Sequence, residues 1–163
     1  MKKMILLALV ALYSFSCTKE TTNQTTETIV FNGFSFIEEN GNIVREDPTD
    51  WLTSDKWNST ELGLFGLKAI PALCTNTLAA PVTAYPIPSN GNFFFQNGIS
   101  SSARMEIRIV DKNYKKLYSN DSIYNNTYAF DLTGKVKSDT VRIYYRIIEK
   151  TCELHGHGDL FIK

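Results

Sequence analysis

Two segments of this 163-residue chain alternate apolar and polar residues with a period of two. In residues 104–110 the apolar positions include Met105, Ile107 and Ile109, and residues 141–147 repeat the pattern. A period of two places successive side chains on opposite faces of a β-strand. We therefore predict two half-buried strands, each with one face on a core and the other face in water.

Shorter apolar segments predict further strands. Residues 160–162 and the run Phe93, Phe94 and Phe95 are fully apolar, and we expect the Phe run to be buried on both faces. Turn-forming residues separate the predicted strands, at 90–91, 111–113, 133–134 and 156–158. Short strands spaced by about 8–12 residues predict an all-β, antiparallel sandwich. Aromatic residues make up 12% of the chain, which also favours strands over helices.

The residues before this sandwich are less regular. Residues 34–45 predict a β-hairpin, because Asn40-Gly41 is a turn dipeptide between two apolar segments. Residues 58–61 are typical of a helix start, with Ser or Thr as the cap and an acidic residue in the first turn. Gly63 and Gly66 predict that this helix is short. Residues 68–83 are expected to be irregular.

The first residues predict the compartment. Lys2 and Lys3 precede an apolar run over residues 4–13, which is too short for a transmembrane helix and typical of a signal peptide. The following Ser14-Phe15-Ser16-Cys17 resembles a bacterial lipobox, whose Cys is lipidated and becomes the mature N-terminus. The alternative is an ordinary secretory signal that contains a Cys. The lipobox interpretation places the protein in the cell envelope, bound to the membrane through lipid on Cys17.

A polar, Thr-rich stretch follows Cys17 and ends at Thr28. It has nothing to bury, so we expect an extended tether. Lys19-Glu20 resembles the short export signal of surface lipoproteins in Bacteroidetes-type bacteria. The anchored domain is therefore expected either at the cell surface or facing the periplasm.

The charge balance argues against a nucleic-acid partner. The chain has 17 Lys and Arg against 17 Asp and Glu, and loss of Lys2 and Lys3 with the signal peptide would leave a slight acidic excess. Nucleic-acid binding requires a basic face. Hydrophobic residues at 43% are consistent with one folded domain.

Residues 85–93 read Tyr-Pro-Ile-Pro-Ser-Asn-Gly-Asn-Phe, which resembles the opening motif of the C-terminal sorting domains of the type IX secretion system. Residues 105–118, 128–132 and 141–147 are similar to later strands of those domains. The family has a seven-stranded Ig-like sandwich, so the resemblance implies that fold here. The whole chain also resembles small Bacteroidetes-type outer-membrane lipoproteins with an Ig-like domain.

These features predict four parts of the chain. They are a lipoprotein signal peptide (1–16), a lipidated Cys with a Thr-rich linker (17–28), an N-terminal extension with a β-hairpin and short helix (29–83), and an Ig-like β-sandwich (84–163).

The chain ends in the one chemically suggestive cluster of the sequence, His155-Gly156-His157-Gly158-Asp159. On a strand, His155, His157 and Asp159 point to one face, and imidazole and carboxylate groups are competent zinc ligands. The alternative is the polar face of an edge strand, with the two glycines at a bulge.

Two residue pairs leave alternatives open. Cys74 and Cys152 either form a disulfide, which an oxidising compartment permits, or are buried free thiols. Trp51 and Trp57 either form an exposed carbohydrate platform or cover an edge of the core.

The sequence favours a non-catalytic envelope lipoprotein that acts as a binding or adhesion module, with no cofactor. Its partners would be the membrane, through lipid, and a protein or glycan. One alternative is a metal-binding protein or hydrolase that uses His155, His157 and Asp159. A second alternative is a component associated with type IX secretion. No phosphate-binding glycine loop or GxSxG nucleophile motif is present in the sequence.

Overall fold

The computed structural model describes residues 27–75, 82–98 and 103–163. The predicted signal peptide, Cys17 and the linker up to Thr26 lie outside these residues. Within the described ranges the chain forms one short helix, α1 (Ser59–Leu64), and nine strands. The strands are β1 (Phe36–Ile37), β2 (Ile43–Arg45), β3 (Thr83–Tyr85), β4 (Asn92–Gln96), β5 (Arg104–Val110), β6 (Lys116–Ile123), β7 (Thr127–Asp131), β8 (Asp139–Ile148) and β9 (Glu153–Ile162).

Strands β3 to β9 form two antiparallel sheets. One has the strand order β3-β4-β7 and the other has the order β6-β5-β8-β9. The chain passes from one sheet to the other after β4, β6 and β7, so neighbours in sequence are often in different layers. This arrangement confirms the predicted all-β, Ig-like antiparallel sandwich.

The main core lies between the two sheets. Phe93 and Phe95 of β4 and Phe130 of β7 point inward from the three-stranded sheet. The other sheet contributes the apolar positions of both alternating segments, namely Met105, Ile107, Ile109, Val141, Ile143, Tyr145 and Ile147. The period of two therefore identified the core face of β5 and β8 correctly.

The N-terminal extension contains the predicted hairpin and helix. Strands β1 and β2 pair antiparallel, and Gly41 between them has a φ of 85°. The helix has Asn58 as its N-cap, rather than the expected Ser or Thr, in a reciprocal capping box with Glu61. Gly66, with a φ of 69°, ends the helical segment.

The prediction that β5 and β8 each have one face in water is wrong. Glu106, Arg108 and Arg146 point away from the main core, yet all three are buried. The extension covers them, because Trp57, Leu62 and the neighbouring apolar side chains form a second apolar cluster on this outer face. Strands β5 and β8 are therefore largely buried on both faces, whereas β6 remains exposed on its outer face.

The prediction for residues 93–95 is also wrong in one position. Phe93 and Phe95 are buried in the core, but Phe94 is 45% exposed. It points outward from the three-stranded sheet. Among the described residues, no element of the extension covers this outer face as α1 covers the outer face of the other sheet. The pleat of the strand thus separates this ring from its two neighbours.

The outer edge of β9 is hydrogen-bonded to three other parts of the chain. Residues 72–74 bond to Glu153, residues 51–55 bond to His155 and His157, and Ser89 bonds to Phe161 and Lys163. An unpaired edge strand is a template for aggregation, and these segments remove most of that edge. No helix in the described ranges is long and apolar enough to cross a membrane.

Candidate functional site

The polar tail residues lie on β9 and share one face, as the strand pattern predicted. His155, His157 and Asp159 form a row along the outer face of the four-stranded sheet. Strand β8 places Arg146, Tyr144 and Arg142 directly opposite them, in that order. Strand register therefore places each of these polar residues of β9 beside a polar residue of β8.

Arg146 is the centre of the first cross-strand row. Its guanidinium lies 2.7 Å from Oε2 of Glu106 on β5 and also forms an ion pair with Glu153 on β9. Burial acts to raise the pKa of Glu153, but hydrogen bonds from His155 and Arg146 leave that pKa below its ordinary value. One arginine therefore bridges carboxylates from two strands in a buried layer.

His155 is fully buried between two acceptors. Its Nε2 lies 2.9 Å from the backbone oxygen of Asp55, and its Nδ1 lies 3.3 Å from Oε1 of Glu153. The ring also packs against Trp57, with 4.6 Å between centroids. His155 thus joins the extension to the end of the sheet.

The other two tail residues have different partners. His157 bonds through Nδ1 to the carboxylate of Asp55. Asp159 accepts two hydrogen bonds from the guanidinium of Arg142, at 2.7 and 2.8 Å. Burial opposes the charge on Arg142, but its bonds to Asp159 raise the pKa of Arg142 above its usual range. Each tail side chain therefore binds another part of the protein rather than a shared point.

Asp50 is a buried carboxylate beside the end of this row. It accepts hydrogen bonds at 3.0 Å from the backbone N–H and the hydroxyl of Ser35, and from the N–H of Asp159. Burial is the largest influence on it and raises the pKa of Asp50 to about 6, with the nearby Asp159 charge adding to the effect. Asp50 thus connects the start of the hairpin to β9.

The zinc hypothesis rests on three side chains that the structure does place on one face. In the part of the chain that the structure describes, no three His, Cys, Asp or Glu side chains are grouped so that they could hold a metal ion. The suggested glycine bulge is wrong, because β9 pairs with β8 over its whole length without a register shift.

The glycines instead make room for the extension. A Cβ on Gly156 would lie 1.7 Å from the backbone oxygen of Leu52, and a Cβ on Gly158 would lie 2.4 Å from Cε3 of Trp51. Trp51 stacks on Tyr145 in the core, and Trp57 is buried against Phe65. The tryptophans therefore cover core edges, and the exposed carbohydrate platform predicted as their alternative is wrong.

Cys74 and Cys152 are joined by a disulfide in this structure, with 4.9 Å between their Cα atoms. The bond lies next to the backbone pairing of Cys74 with Glu153. It fastens the irregular residues 68–75 to the start of β9.

A cleft of about 940 Å³ lies between the β1–β2 hairpin and the β3–β4 connection. At its floor, Ile37 and Ile87 exchange backbone hydrogen bonds of 3.0 and 2.8 Å, and both side chains are buried. Phe36, Pro86 and Pro88, which flank these two residues, also line the cleft. This size is within the range of about 300–1,000 Å³ that is usual for ligand pockets.

The rim of the cleft is polar. Glu38, Glu39 and Asn40 of the hairpin turn lie on one side, and Asn90 and Asn92 lie on the other. Neither the two carboxylates nor the amide of Asn90 has a side-chain partner among the described residues. The exposed ring of Phe94 and the last residue, Lys163, complete the lining.

The motif at residues 85–93 builds one wall of this cleft. Ser89 is buried, and it fastens the wall by accepting from the N–H of Gly91 and donating to the backbone oxygen of Asn92. Gly91 has a φ of 99°, and a Cβ there would lie 2.9 Å from the backbone of Thr133. Ser89 and Gly91 thus stabilise the conformation of the motif, whereas its prolines and Asn90 line the cleft.

Sequence reasoning missed this site. Phe36, Glu38, Glu39 and Phe94 carried no recognisable motif, and only the docking of the hairpin on residues 86–88 brings them together. The signal that was available is the alternation within 92–96, which would have placed Phe94 on the face opposite its two Phe neighbours.

Comparison with known proteins finds no match among protein-family models, curated protein sequences or solved structures.

Proposed function

We propose that this protein is a non-catalytic lipoprotein of the cell envelope, anchored through Cys17, whose sandwich domain binds a ligand in the hairpin cleft. The observation that carries the proposal is a contrast between two polar regions. The charged side chains of the β9 row are paired with one another, whereas unpaired polar groups and exposed rings come together at the cleft.

The β9 row is suited to support rather than to catalysis. A general base or a nucleophile must reach a substrate atom. His155 is fully buried, and the Nδ1 atom of His157 is occupied by Asp55. Together with Arg142 and Arg146, these residues hold the extension on the sheet.

The attachment of the linker supports a binding role for the cleft. Glu27, near the end of the linker, accepts hydrogen bonds from Thr60 in helix α1 and from Asn58, the N-cap of that helix. Helix α1 packs on the outer face of the four-stranded sheet, whereas Phe94 projects from the outer face of the other sheet. A tether that reaches the membrane from the α1 side would leave the cleft on the opposite layer of the sandwich, accessible to a ligand.

Anchoring is tested by expressing the full chain in a bacterium that processes lipoproteins and labelling the cells with a radioactive fatty acid. We expect label on the wild-type protein and its recovery with membranes after a carbonate wash, because acyl chains hold it there. The Cys17→Ser chain should carry no label. Equal labelling of the two chains would contradict the proposal.

Binding is tested with the full chain, fluorescently labelled, on intact cells and on isolated envelope material. Wild type and Tyr124→Ala should bind equally, because Tyr124 is an exposed aromatic residue outside the cleft. The double variant Phe36→Ala, Phe94→Ala should lose most of the binding while keeping its melting temperature. Retained binding by the double variant would show that the cleft is not the site.

A further inference from the structure

We propose that the ligand of the cleft is a neutral oligosaccharide, with a pyranose ring on Phe94 and hydroxyl groups held by Glu38, Glu39 and Asn90. This inference rests on the proposed binding function of the cleft and adds the chemical class of the ligand. Three features of the cleft support it, namely an apolar floor, an exposed aromatic ring, and polar side chains at the rim without a side-chain partner among the described residues.

The apolar surface of the cleft includes two exposed aromatic rings. Phe36 is 39% exposed and Phe94 is 45% exposed, so both rings are available to a ligand. Phe94 is held by a tilted contact with Tyr85, with 5.7 Å between ring centroids. The faces of pyranose rings carry C–H groups, which suit the electron-rich face of an aromatic ring. The prolines add rigid apolar surface beside the rings.

The rim offers the hydrogen-bonding groups that sugar hydroxyls need. A hydroxyl both donates and accepts, a carboxylate accepts through two oxygens, and an amide does both. Glu38, Glu39 and Asn90 have no side-chain partner among the described residues and are free for this purpose. Asn92 donates to Thr133 through Nδ2 at 3.2 Å, which leaves its amide oxygen as a further acceptor. Charged acceptors give the stronger hydrogen bonds in such a set.

A peptide strand is a poorer occupant of this cleft. Strand addition needs free backbone N–H and C=O groups on a sheet edge. At the floor, the N–H and C=O groups of Ile37 and Ile87 bond to each other, and the flanking Pro86 and Pro88 have no N–H. Backbone recognition of an extended peptide is therefore not available there.

The charge of the rim disfavours anionic ligands. The cleft is lined by two carboxylates, Glu38 and Glu39, and by one cationic side chain, Lys163. A phosphate or a uronic acid would meet a like-charged pair at the position where hydroxyls would be bound. A neutral sugar avoids this repulsion.

The experiment uses the full chain, purified in a detergent without a sugar headgroup, and isothermal titration calorimetry. The probes are cellotetraose, laminaritetraose, maltotetraose and mannotetraose, with tetragalacturonic acid and a proline-rich decapeptide as contrasting ligands. We expect at least one neutral tetrasaccharide to bind. Phe94→Ala should weaken that binding by about tenfold or more, and Glu38→Gln with Glu39→Gln should weaken it further. Tyr124→Ala should leave it unchanged.

The inference is overturned if none of the neutral tetrasaccharides binds. It is also overturned if Phe94→Ala leaves their binding intact, or if tetragalacturonic acid or the peptide is the ligand whose binding needs Phe94. The two proposals can fail separately. Envelope binding that depends on Phe36 and Phe94 without any response to neutral sugars would retain the binding function and reject the oligosaccharide.

Discussion

The indole of Trp51 lies directly on Gly158 of β9, so that a Cβ at the glycine would be 2.4 Å from Cε3 of the ring. Trp51 belongs to the N-terminal extension, and it also stacks on Tyr145 with 6.4 Å between centroids. Gly158 lies on the inner face of β9 and has no side chain. The Trp51 ring of the extension can therefore pack into the core at this position. The two parts of the chain share one core, although their sequences look very different.

Gly158→Ala should destabilise the protein by about 1–3 kcal/mol, the usual cost of overpacking a well-filled core. The added methyl group must displace the ring of Trp51, which already packs against Phe95 and Tyr145. Chemical denaturation followed by tryptophan fluorescence measures the loss.

Gly63→Ala is the matched control for this substitution. Gly63 lies in helix α1, and no atom outside the helix backbone is within 4 Å of the position that a Cβ would take there. Alanine should raise the free energy of unfolding by about 0.5–1 kcal/mol, because it restricts the unfolded chain. Equal effects of the two substitutions would contradict the packing of Trp51 on Gly158.

Arg146→Ala should be one of the most destabilising single changes in the molecule. It leaves the carboxylates of Glu106 and Glu153 buried without this partner, and breaking a buried ion pair on one side costs about 3–5 kcal/mol. Urea denaturation at neutral pH gives the value directly.

Arg104→Ala provides the comparison for Arg146. Arg104 also pairs with Glu106, at 2.8 Å, but its side chain is 40% exposed. Exposed pairs contribute about 0–1 kcal/mol, so this loss should be several-fold smaller. If both variants lost the same stability, the buried network would not hold the sheet and the extension together.

The sequence contained enough to predict the strands and the sandwich, but not the surfaces that cover it. Alternation over 104–110 and 141–147 identified the core face of each strand, because Met105 and Ile143 differ sharply in polarity from their neighbours. Arg108 and Arg146 indicated a wet face by the same rule. Their burial depends on the extension, which packs over this face, and their charges are balanced by partners on other strands, neither of which a local pattern encodes.

The two candidate sites show the same limit. His155, His157 and Asp159 could be placed on one face from sequence alone, since a strand has a period of two. Their partners, which include Asp55 and Arg142, come from other elements and decide what the row does. The sequence did not indicate the cleft, because its two exposed Phe rings come together only after the hairpin docks on residues 86–88.

Removing the disulfide with Cys74→Ser and Cys152→Ser should lower the free energy of unfolding by about 2–4 kcal/mol, because the bond closes a sequence separation of 78. The local effect should be strongest at residues 72–74, whose pairing with Glu153 would lose its covalent support. Hydrogen exchange at residue 74 and Glu153 measures that effect. A reducing agent should shift the melting temperature of the wild type and leave the double variant unchanged, and the opposite pattern would contradict the role of the bond.

Asp50→Asn should change how stability depends on pH. Burial raises the pKa of Asp50 to about 6 in the folded protein from 3.8 in the unfolded chain, so the folded state holds the proton more tightly. Wild-type stability should therefore fall as pH rises from about 4 to 6 and then level off, by about 3 kcal/mol over two pH units. An asparagine side chain does not titrate. The free energy of unfolding of the variant should therefore rise relative to that of the wild type between about pH 4 and pH 6. Urea denaturation of both proteins between pH 4 and 8 gives the difference.

Asp47→Asn is the control with the opposite sign. The hydrogen bonds from Thr49 lower the pKa of Asp47, so its contribution is present above the unfolded pKa and is lost as pH falls. The free energy of unfolding of the wild type should therefore rise relative to that of this variant as pH rises toward the unfolded pKa of 3.8, and the difference should stay constant above it. The urea series for this control is extended below about pH 4, because the whole change lies there. The ion pair between Arg142 and Asp159, which lies beside residue 50, is unchanged in sequence in all three proteins. A flat difference between wild type and Asp50→Asn would mean that the bonds from Ser35 and Asp159 offset the burial of the carboxylate in full.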